Sequence, residues 1–569
     1  MTARGNVRVL VLALSAALVV ALTVPGQSAT AKTPRGTATD ATYFNDASQN
    51  AADPYVLWDK ASGYYYAYST DGASKGWYFA VYRSPDLATW QKVSGGALPA
   101  NDAKQWGHDW FWAPEVYHNE KTGKYFLFYA ARENTHVAED FGYANFEEPS
   151  RIGVAVADSP AGPFHNISDR PIDYHPYDPA YHDVNLIMDA TQKKPPATLA
   201  EGESAPLGTY LPSIDPDVFF DQGRAYLYYS RNAYRNWVWD TDLGKYIEES
   251  NIYAVELTTD WWNDPTGTTM PTITPAYRGA NDGPGGPAGP RRDGFVRILD
   301  YDHDKQAWEN AHVNDYATTG GQNKDRRWAE GSTTFSRMVD TNGDGTPERV
   351  YYLTYSANNF ANASYGVGYA TSTSPLGPWK KYAGNPILHQ DASLPMYSTG
   401  HGSLAFSPDG SQAYYVHHGR PTPTSARKLY TERLFLDGAP DARGFPTLSM
   451  DETTSDRPVP SGVAPYSMSV SVDRTGVGSV HLRWAVRSAA GAAMPLANPL
   501  NRVQVTLDRA GTVTRDADGQ GATVSVDRAA VVTLTYQRKQ ADGGYVDVHQ
   551  GSGASRETVD RTVVVDARP

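Results

Sequence analysis

The sequence predicts an all-β protein, a five-bladed β-propeller followed by a small C-terminal β-sandwich. Three observations carry that expectation. A unit of short strands recurs five times along the chain. Rings and turn formers are abundant, with 12% aromatics, 50 Gly and 39 Pro in 569 residues. After Ser461 the character changes, and only Tyr466, Trp484, Tyr536 and Tyr545 are aromatic in the remaining chain.

In chain order, Met1–Ala31 has Arg4 and Arg8, an apolar run from Val9 to Val24, and then Ala29-Thr30-Ala31. Charge, apolar core and small-residue cleavage site in that order describe a secretory signal peptide. The run falls short of the roughly 20 apolar residues a membrane span needs. The expectation is therefore a secreted, extracellular protein with no membrane contact after cleavage. Residues 32–42 read as a linker, 43–460 as the propeller and 461–569 as the sandwich.

The repeat begins with an acidic or turn-forming start, continues as an apolar strand and a Gly turn, and ends in a Tyr-rich strand. It reads Asp53-Pro54-Tyr55-Val56-Leu57-Trp58, then Gly63-Tyr64-Tyr65-Tyr66-Ala67-Tyr68. It returns at Trp112-Ala113-Pro114-Glu115 and at Ile214-Asp215-Pro216-Asp217. The last two copies start at Ala329-Glu330-Gly331-Ser332 and Gly400-His401-Gly402-Ser403. A second motif follows several copies, as in Ala80-Val81-Tyr82-Arg83-Ser84-Pro85 and Gly368-Tyr369-Ala370-Thr371-Ser372. Each copy offers about four short strands with period-2 alternation. Such units in series are the signature of a propeller, whose blades bury their faces against one another. Two stretches rich in Pro, Gly and Asp, Asn166–Tyr210 and Thr258–Arg327, read as loops on the axial faces, where binding residues collect. Past Ser461, alternating runs such as Val503-Gln504-Val505-Thr506-Leu507 read as sandwich strands, with a supporting role rather than a sugar platform.

Composition narrows the function. There is no cysteine, hence no disulfide scaffold, thiolate metal site or cysteine nucleophile. A net charge of −13 without a Lys/Arg run argues against a nucleic-acid partner. No His-Glu-x-x-His zinc motif occurs. What stands out is acid at blade starts. Asp53, Asp215 and Glu330 open the first, third and fourth copies. A propeller brings such positions to one central pocket, where crowded carboxylates push their pKa values apart. One ionised and one protonated carboxyl is what glycoside hydrolysis requires, and aromatic rings suit the faces of sugars.

Taken in order, Asp53-Pro54, Trp112-Ala113-Pro114-Glu115, Ile214-Asp215-Pro216-Asp217, Ala329-Glu330-Gly331 and Gly400-His401-Gly402-Ser403 resemble glycoside hydrolase family 43. The resemblance covers roughly Asp53 to Leu448. It implies an inverting hydrolase of α-L-arabinofuranosyl or β-D-xylosyl linkages. It also implies Asp53 as general base, Glu330 as general acid, and Asp215 as the residue that tunes and orients the acid. By the same resemblance His401 is the axial histidine beside a calcium, usually through water, and Arg427 contacts substrate hydroxyls. Trp112 reads either as a sugar platform or as blade packing, and Glu115 and Asp217 as partners of backbone or neighbouring blades. An inverting pair stands roughly 6.5–9.5 Å apart. Two further motifs are set aside. Asp340-Thr341-Asn342-Gly343-Asp344-Gly345 starts like a calcium loop but has Tyr351 where a Glu is needed, so it reads as a hairpin turn. Trp262-Asn263-Asp264-Pro265 resembles the start of fructan-cleaving propellers but lies mid-chain. The expected partner is a carbohydrate substrate and the expected state a monomer. The alternatives are a non-catalytic sugar-binding propeller and a fructan-active hydrolase.

Overall fold

The computed structural model describes residues 43–567, apart from 45–48, 88–89, 142–143, 147, 173–185, 188–194, 205–211, 232–235, 275–295, 391–395, 451–455, 458–465, 488–492, 495, 497–500, 540–543 and 551–556. The signal-peptide and linker readings, and the boundary at Ser461, lie outside the described residues. The described chain is nearly all β, with a few helices of four or five residues. None of these helices is long and apolar enough to cross a membrane.

The Tyr-rich runs form the second strand of each repeat, and period-2 alternation explains their composition. Tyr64–Ser69 is buried along its whole length. Tyr64, Tyr66 and Tyr68 point into one apolar cluster with Leu127 and Tyr129 of the next repeat. Tyr65 and Ala67 point the other way, into a cluster with Tyr414 and Val416 of the last repeat. A strand with a neighbour on both faces has no polar face to show, so both parities carry rings or small apolar groups.

Each repeat is an antiparallel meander. The first joins Tyr55–Asp59, Tyr64–Ser69, Ala80–Ser84 and Gln91–Lys92, and the second Gly107–Asn119, Lys124–Glu133, Ser150–Ala157 and His165–Asn166. The last joins Tyr397–Phe406, Ala413–Arg420, Lys428–Phe435 and Ser449–Met450. The third (Ser213–Asp221, Arg224–Arg231, Lys245–Leu257, Val296–Leu299) and the fourth (Arg326–Val339, Glu348–Ala357, Gly366–Ser372) are fused into one sheet. The joint is a short parallel pairing from Glu248↔Arg326 to Ser250↔Trp328. Buried charge pins it. Arg327 bonds Asp240 at 2.8 Å and Glu249 at 2.6 Å.

First strands touch in sequence around a cycle. Tyr117 packs on Tyr55 with centroids 5.3 Å apart, and its hydroxyl accepts the Val218 N–H at 2.6 Å. Thr334 donates to Asp217 at 2.8 Å, and Thr333 donates to the Gly402 carbonyl at 2.9 Å. The Val56 N–H then donates to Ser403 Oγ at 2.9 Å, returning from the last repeat to the first. Edge contacts reinforce that closure, with the Ala51 N–H on the Arg427 carbonyl at 3.0 Å and the Leu429 N–H on the Gln49 carbonyl at 3.2 Å.

The reading of Thr258–Arg327 as loop needs correction. Val296–Leu299 is a strand paired with Lys245–Leu257, and Asp260–Asn263, Ala307–Asn310 and Asp315–Thr318 form single helical turns. Val296, Ile298 and Leu299 bury apolar side chains where the third meander lacked a fourth strand. Asn166–Tyr210 is described only in part, with a strand at Leu186–Ile187 and a helix at Leu199–Glu203. Asp340 closes a hairpin turn, its carboxylate accepting the N–H groups of Gly343, Asp344 and Gly345. Toward the C-terminus, Ser467–Gly476, Ser479–Arg487, Thr512–Arg515 and Gly521–Ser525 form one sheet, and Asn501–Leu507, Ala530–Lys539, Tyr545–Asp547 and Asp560–Val565 another. Leu482, Trp484, Val503, Val532 and Leu534 share one apolar cluster between them.

Candidate active site

Every first strand is kinked at the same place. Asp53, Ala113, Asp215, Gly331 and His401 all have positive φ, between 43° and 60°. In all but the first meander the strand register slips beside this residue. Such bulges re-aim side chains that a regular pleat would send to a blade face. Four of these residues are not glycine, so the backbone holds strain of the sort concentrated at functional sites. Gly331 is required where it stands. A Cβ there would lie 2.7 Å from His401 Cγ.

Asp53 and Asp215 occupy the kinked position itself. Glu330 does not, as its position in the repeat matches Trp112, Ile214 and Gly400. The expectation of strict equivalence for the three acids therefore fails by one residue. The reason is local: the kink in the fourth strand falls on Gly331, and the residue before it swings inward.

The three acids share one environment. Asp53 Oδ1 lies 3.0 Å from Arg427 Nη1 and 3.3 Å from the Nδ1 atoms of both His401 and His418. Asp53 Oδ2 accepts the Thr70 hydroxyl at 2.8 Å, and Thr70 accepts the Ala113 N–H at 2.8 Å. Asp215 Oδ2 accepts the Gly331 N–H at 3.1 Å and the Ser230 hydroxyl at 3.3 Å. Glu330 Oε1 accepts the Tyr365 hydroxyl at 2.7 Å. The buried Tyr365 ring stacks on His418 with centroids 5.6 Å apart. His401 sits against Gly331 and donates its N–H to Ser356 at 2.7 Å.

Electrostatics separate the carboxyls. Burial would raise Asp53, but Arg427, helped by the two histidines, outweighs it and holds the group well below the usual carboxylate range. Burial pushes Glu330 up to about 7, and the nearby Asp53 charge adds to this against the opposing Tyr365 hydrogen bond. Asp215 is raised by burial and then by Glu330 and Asp53. The pocket thus holds one firm anion, Asp53, and a proton on the Asp215–Glu330 pair at neutral pH. His418 is neutral. Burial takes it down to about 3, and its Nδ1 accepts the Asp53 N–H at 3.1 Å. Burial also lowers His401. Arg427 is therefore the cation that Asp53 answers.

Trp112 is half-buried beside Ala113 and stacks on Trp110, with centroids 5.0 Å apart and planes 10° from parallel. Arg132 covers the Trp110 ring at 4.3 Å. Phe360, exposed, lies under the Arg427 guanidinium at 4.6 Å. Asp217 ties neighbouring strands through Thr334, as expected, whereas Glu115 accepts the Tyr117 hydroxyl within its own strand, and it is Tyr117 that reaches the Val218 N–H of the next. The donor set does not fit a calcium held directly by protein. Calcium takes 6–8 oxygens, whereas His401 offers nitrogen, and the Asp53 oxygens already face Arg427 and Thr70. No group of three or more His, Asp or Glu among the described residues could hold a metal.

Sequence reasoning missed Thr70, Ser230, Ser356, Tyr365 and His418. A signal existed for four of them. Ile214↔Ser230, Glu330↔Ser356 and Gly400↔His418 are paired across the strands, and the Thr70 N–H bonds the Ala52 carbonyl at 2.9 Å. A polar residue at or near the end of the Tyr-rich strand thus stands opposite the kink in every meander that carries an axial acid or histidine. Tyr365 comes from a loop with no repeat signature.

The profile of Glycosyl hydrolases family 43 matches residues 47–193 and 300–437. Asp215 lies between these stretches, so its place in the site rests on its bonds to Gly331 and Ser230. The beta-D-galactofuranosidase xynD of Aspergillus niger is 38% identical over 78 residues, which is 14% of this chain and 22% of that protein's length. A thermostable family-43 glycoside hydrolase of solved structure is 28% identical, with 74% of this chain and 99% of that one covered at a TM-score of 0.47. An endo-1,4-beta-xylanase from Bacteroides thetaiotaomicron is 27% identical, with 73% and 97% covered at a TM-score of 0.43.

Proposed function

This chain belongs to glycosyl hydrolase family 43 and is an O-glycosyl hydrolase, and on that premise we propose that it is a secreted, monomeric, inverting enzyme cleaving α-L-arabinofuranosyl or β-D-xylosyl linkages in plant-type polysaccharides or oligosaccharides. Its body is then a five-bladed propeller with an accessory C-terminal sandwich.

The observation that carries the mechanism is the separation of charge among carboxyls of one pocket. Asp53, kept ionised by Arg427, takes a proton from water as that water attacks the anomeric carbon. Glu330, protonated near neutrality, donates to the departing oxygen. Asp215 receives the Gly331 N–H and so fixes the backbone on which Glu330 stands. Trp112 and Arg427 bind the sugar. Calcium, in this reading, is a water-held ion beside His401. A melting temperature that falls on chelation and recovers with added calcium supports it, and an unmoved one rejects it.

Proton NMR of the first-formed anomer tests the displacement, and a retained configuration would reject it. Asp53→Asn and Glu330→Gln should each remove most turnover with the fold intact. The panel of substrates should include nitrophenyl arabinofuranosides, xylosides and galactofuranosides beside arabinan, xylan and levan. Binding without product over long incubation would favour the non-catalytic alternative. Sequencing the N-terminus of exported protein tests cleavage after Ala31.

A further inference from the structure

A second recess lies beside the acid. Its volume is about 260 Å³, and it is walled by His312, Gln322, Asn323, Trp328, Asn359 and Asn362. Trp328 stands two residues before Glu330 in the same strand, which puts this wall of the recess roughly 7 Å along the chain from the acid. The Asn358 N–H bonds the Trp328 carbonyl at 3.2 Å, fastening the loop that starts there. Asn358 also accepts the Ala311 N–H at 3.1 Å and donates to the Trp308 and Ser364 carbonyls at 2.8 and 2.9 Å. The same loop lays Phe360 on Arg427, the partner of Asp53. The recess is thus joined to the strand that carries Glu330 through Trp328, and to Arg427 through the loop that carries Phe360.

We infer that this recess is the subsite for the sugar residue that leaves, and that it takes a neutral sugar. The inference rests on the hydrolase reading above, because the leaving oxygen is the one Glu330 protonates. Planar amides and an indole are the groups that meet ring hydroxyls and a sugar's apolar face. Gln322 and Asn323 make no side-chain hydrogen bond among the described residues, which leaves their amides for a ligand. The charges around the recess are already answered. Lys324 and Arg326 both bond the buried Glu248, at 2.6 and 3.1 Å, and Asp315 faces His312 at 2.9 Å. A uronic acid would find no uncommitted cation there.

The test is a double variant, Gln322→Ala with Asn359→Ala, at positions outside the strands. It compares an oligosaccharide such as arabinotriose or xylotriose with the nitrophenyl glycoside of the same terminal sugar. Losing two neutral hydrogen bonds should lower kcat/KM on the oligosaccharide roughly tenfold. The nitrophenyl substrate, which offers no ring hydroxyls on the leaving side, should be hydrolysed as before. An equal loss on both substrates, or no loss on the oligosaccharide, overturns the assignment. A preference for uronic-acid-bearing oligosaccharides overturns the neutral-sugar choice. Should the unmodified protein cleave neither substrate, the hydrolase reading fails, and calorimetric titration then judges the recess. Oligosaccharide binding abolished by the double variant supports it, and unchanged binding overturns it.

Discussion

Glu330→Gln is expected to inactivate the protein and to stabilise it, with a pH dependence set by one proton. A free glutamate ionises at 4.5, and burial moves Glu330 to about 7. Because the folded state holds the proton more tightly than the unfolded chain, folding is penalised wherever the unfolded carboxyl is already ionised. That penalty starts near pH 4.5, grows to about pH 7 and is constant above. At about 1.4 kcal/mol per pH unit the gap is worth roughly 3 kcal/mol at its plateau. Glutamine keeps an acceptor for the Tyr365 hydroxyl and carries no proton to lose. The variant should match the parent in stability at pH 4 and exceed it by roughly 3 kcal/mol at pH 8. Urea unfolding of both proteins across that range measures the difference, and activity at each pH shows the loss of turnover. A stability difference that does not change with pH would refute the argument, because the proton on Glu330 would then not be the one that folding holds.

The pH profile of kcat/KM should fall on the alkaline side near 7, as Glu330 loses its proton. Tyr365→Phe removes a hydrogen bond that favours the ionised form, so this limb should move to higher pH, and a shift to lower pH would contradict the geometry. Arg427→Met removes the chief cation from Asp53, so the acid limb should rise toward or beyond the ordinary carboxylate range, read from the same profile, with a higher KM. Gly331→Ala forces a Cβ against His401 in left-handed backbone, costing about 1–2 kcal/mol before any clash. It should lower both the melting temperature and kcat, whereas an unchanged melt would mean that the kink is not strained.

The repeat was legible because blade faces impose period 2 and rings fill the gaps. Tyr64 to Tyr68 could be assigned to a doubly buried strand from the sequence alone. Asp53 and Asp215 were legible too, since each precedes Pro at a repeat start. Glu330 could be found but not placed, because a strand bulge shifts the residue it exposes by one, and nothing in Ala329-Glu330-Gly331-Ser332 states which residue is kinked. Val296–Leu299 was hidden for another reason. The fourth strand of that meander lies inside a long insertion, where spacing gives no help. The buried network of Arg327 with Asp240 and Glu249 was equally hidden, since charge pairs between distant segments leave no periodic trace.

Three carboxyls around one axis would, by symmetry, share their protons, and no base would be set apart from an acid. The asymmetry comes from Arg427, whose guanidinium touches Asp53 and not Glu330 or Asp215. That arginine sits where the last meander closes onto the first. Its carbonyl accepts the Ala51 N–H, two residues before Asp53, and its neighbour Lys428 bridges Asn50. Closing the cycle and choosing which acid is ionised are therefore one structural event. A chain that failed to join its ends would lose the firm anion as well as the shape of the pocket. The acids that lie away from the closure, Asp215 and Glu330, face backbone N–H and hydroxyl donors and, among the described residues, no cation at bonding distance, and a proton stays with them at neutral pH. The direction of proton flow, from water to Asp53 and from Glu330 to the leaving oxygen, thus follows from where the chain happens to begin and end its ring.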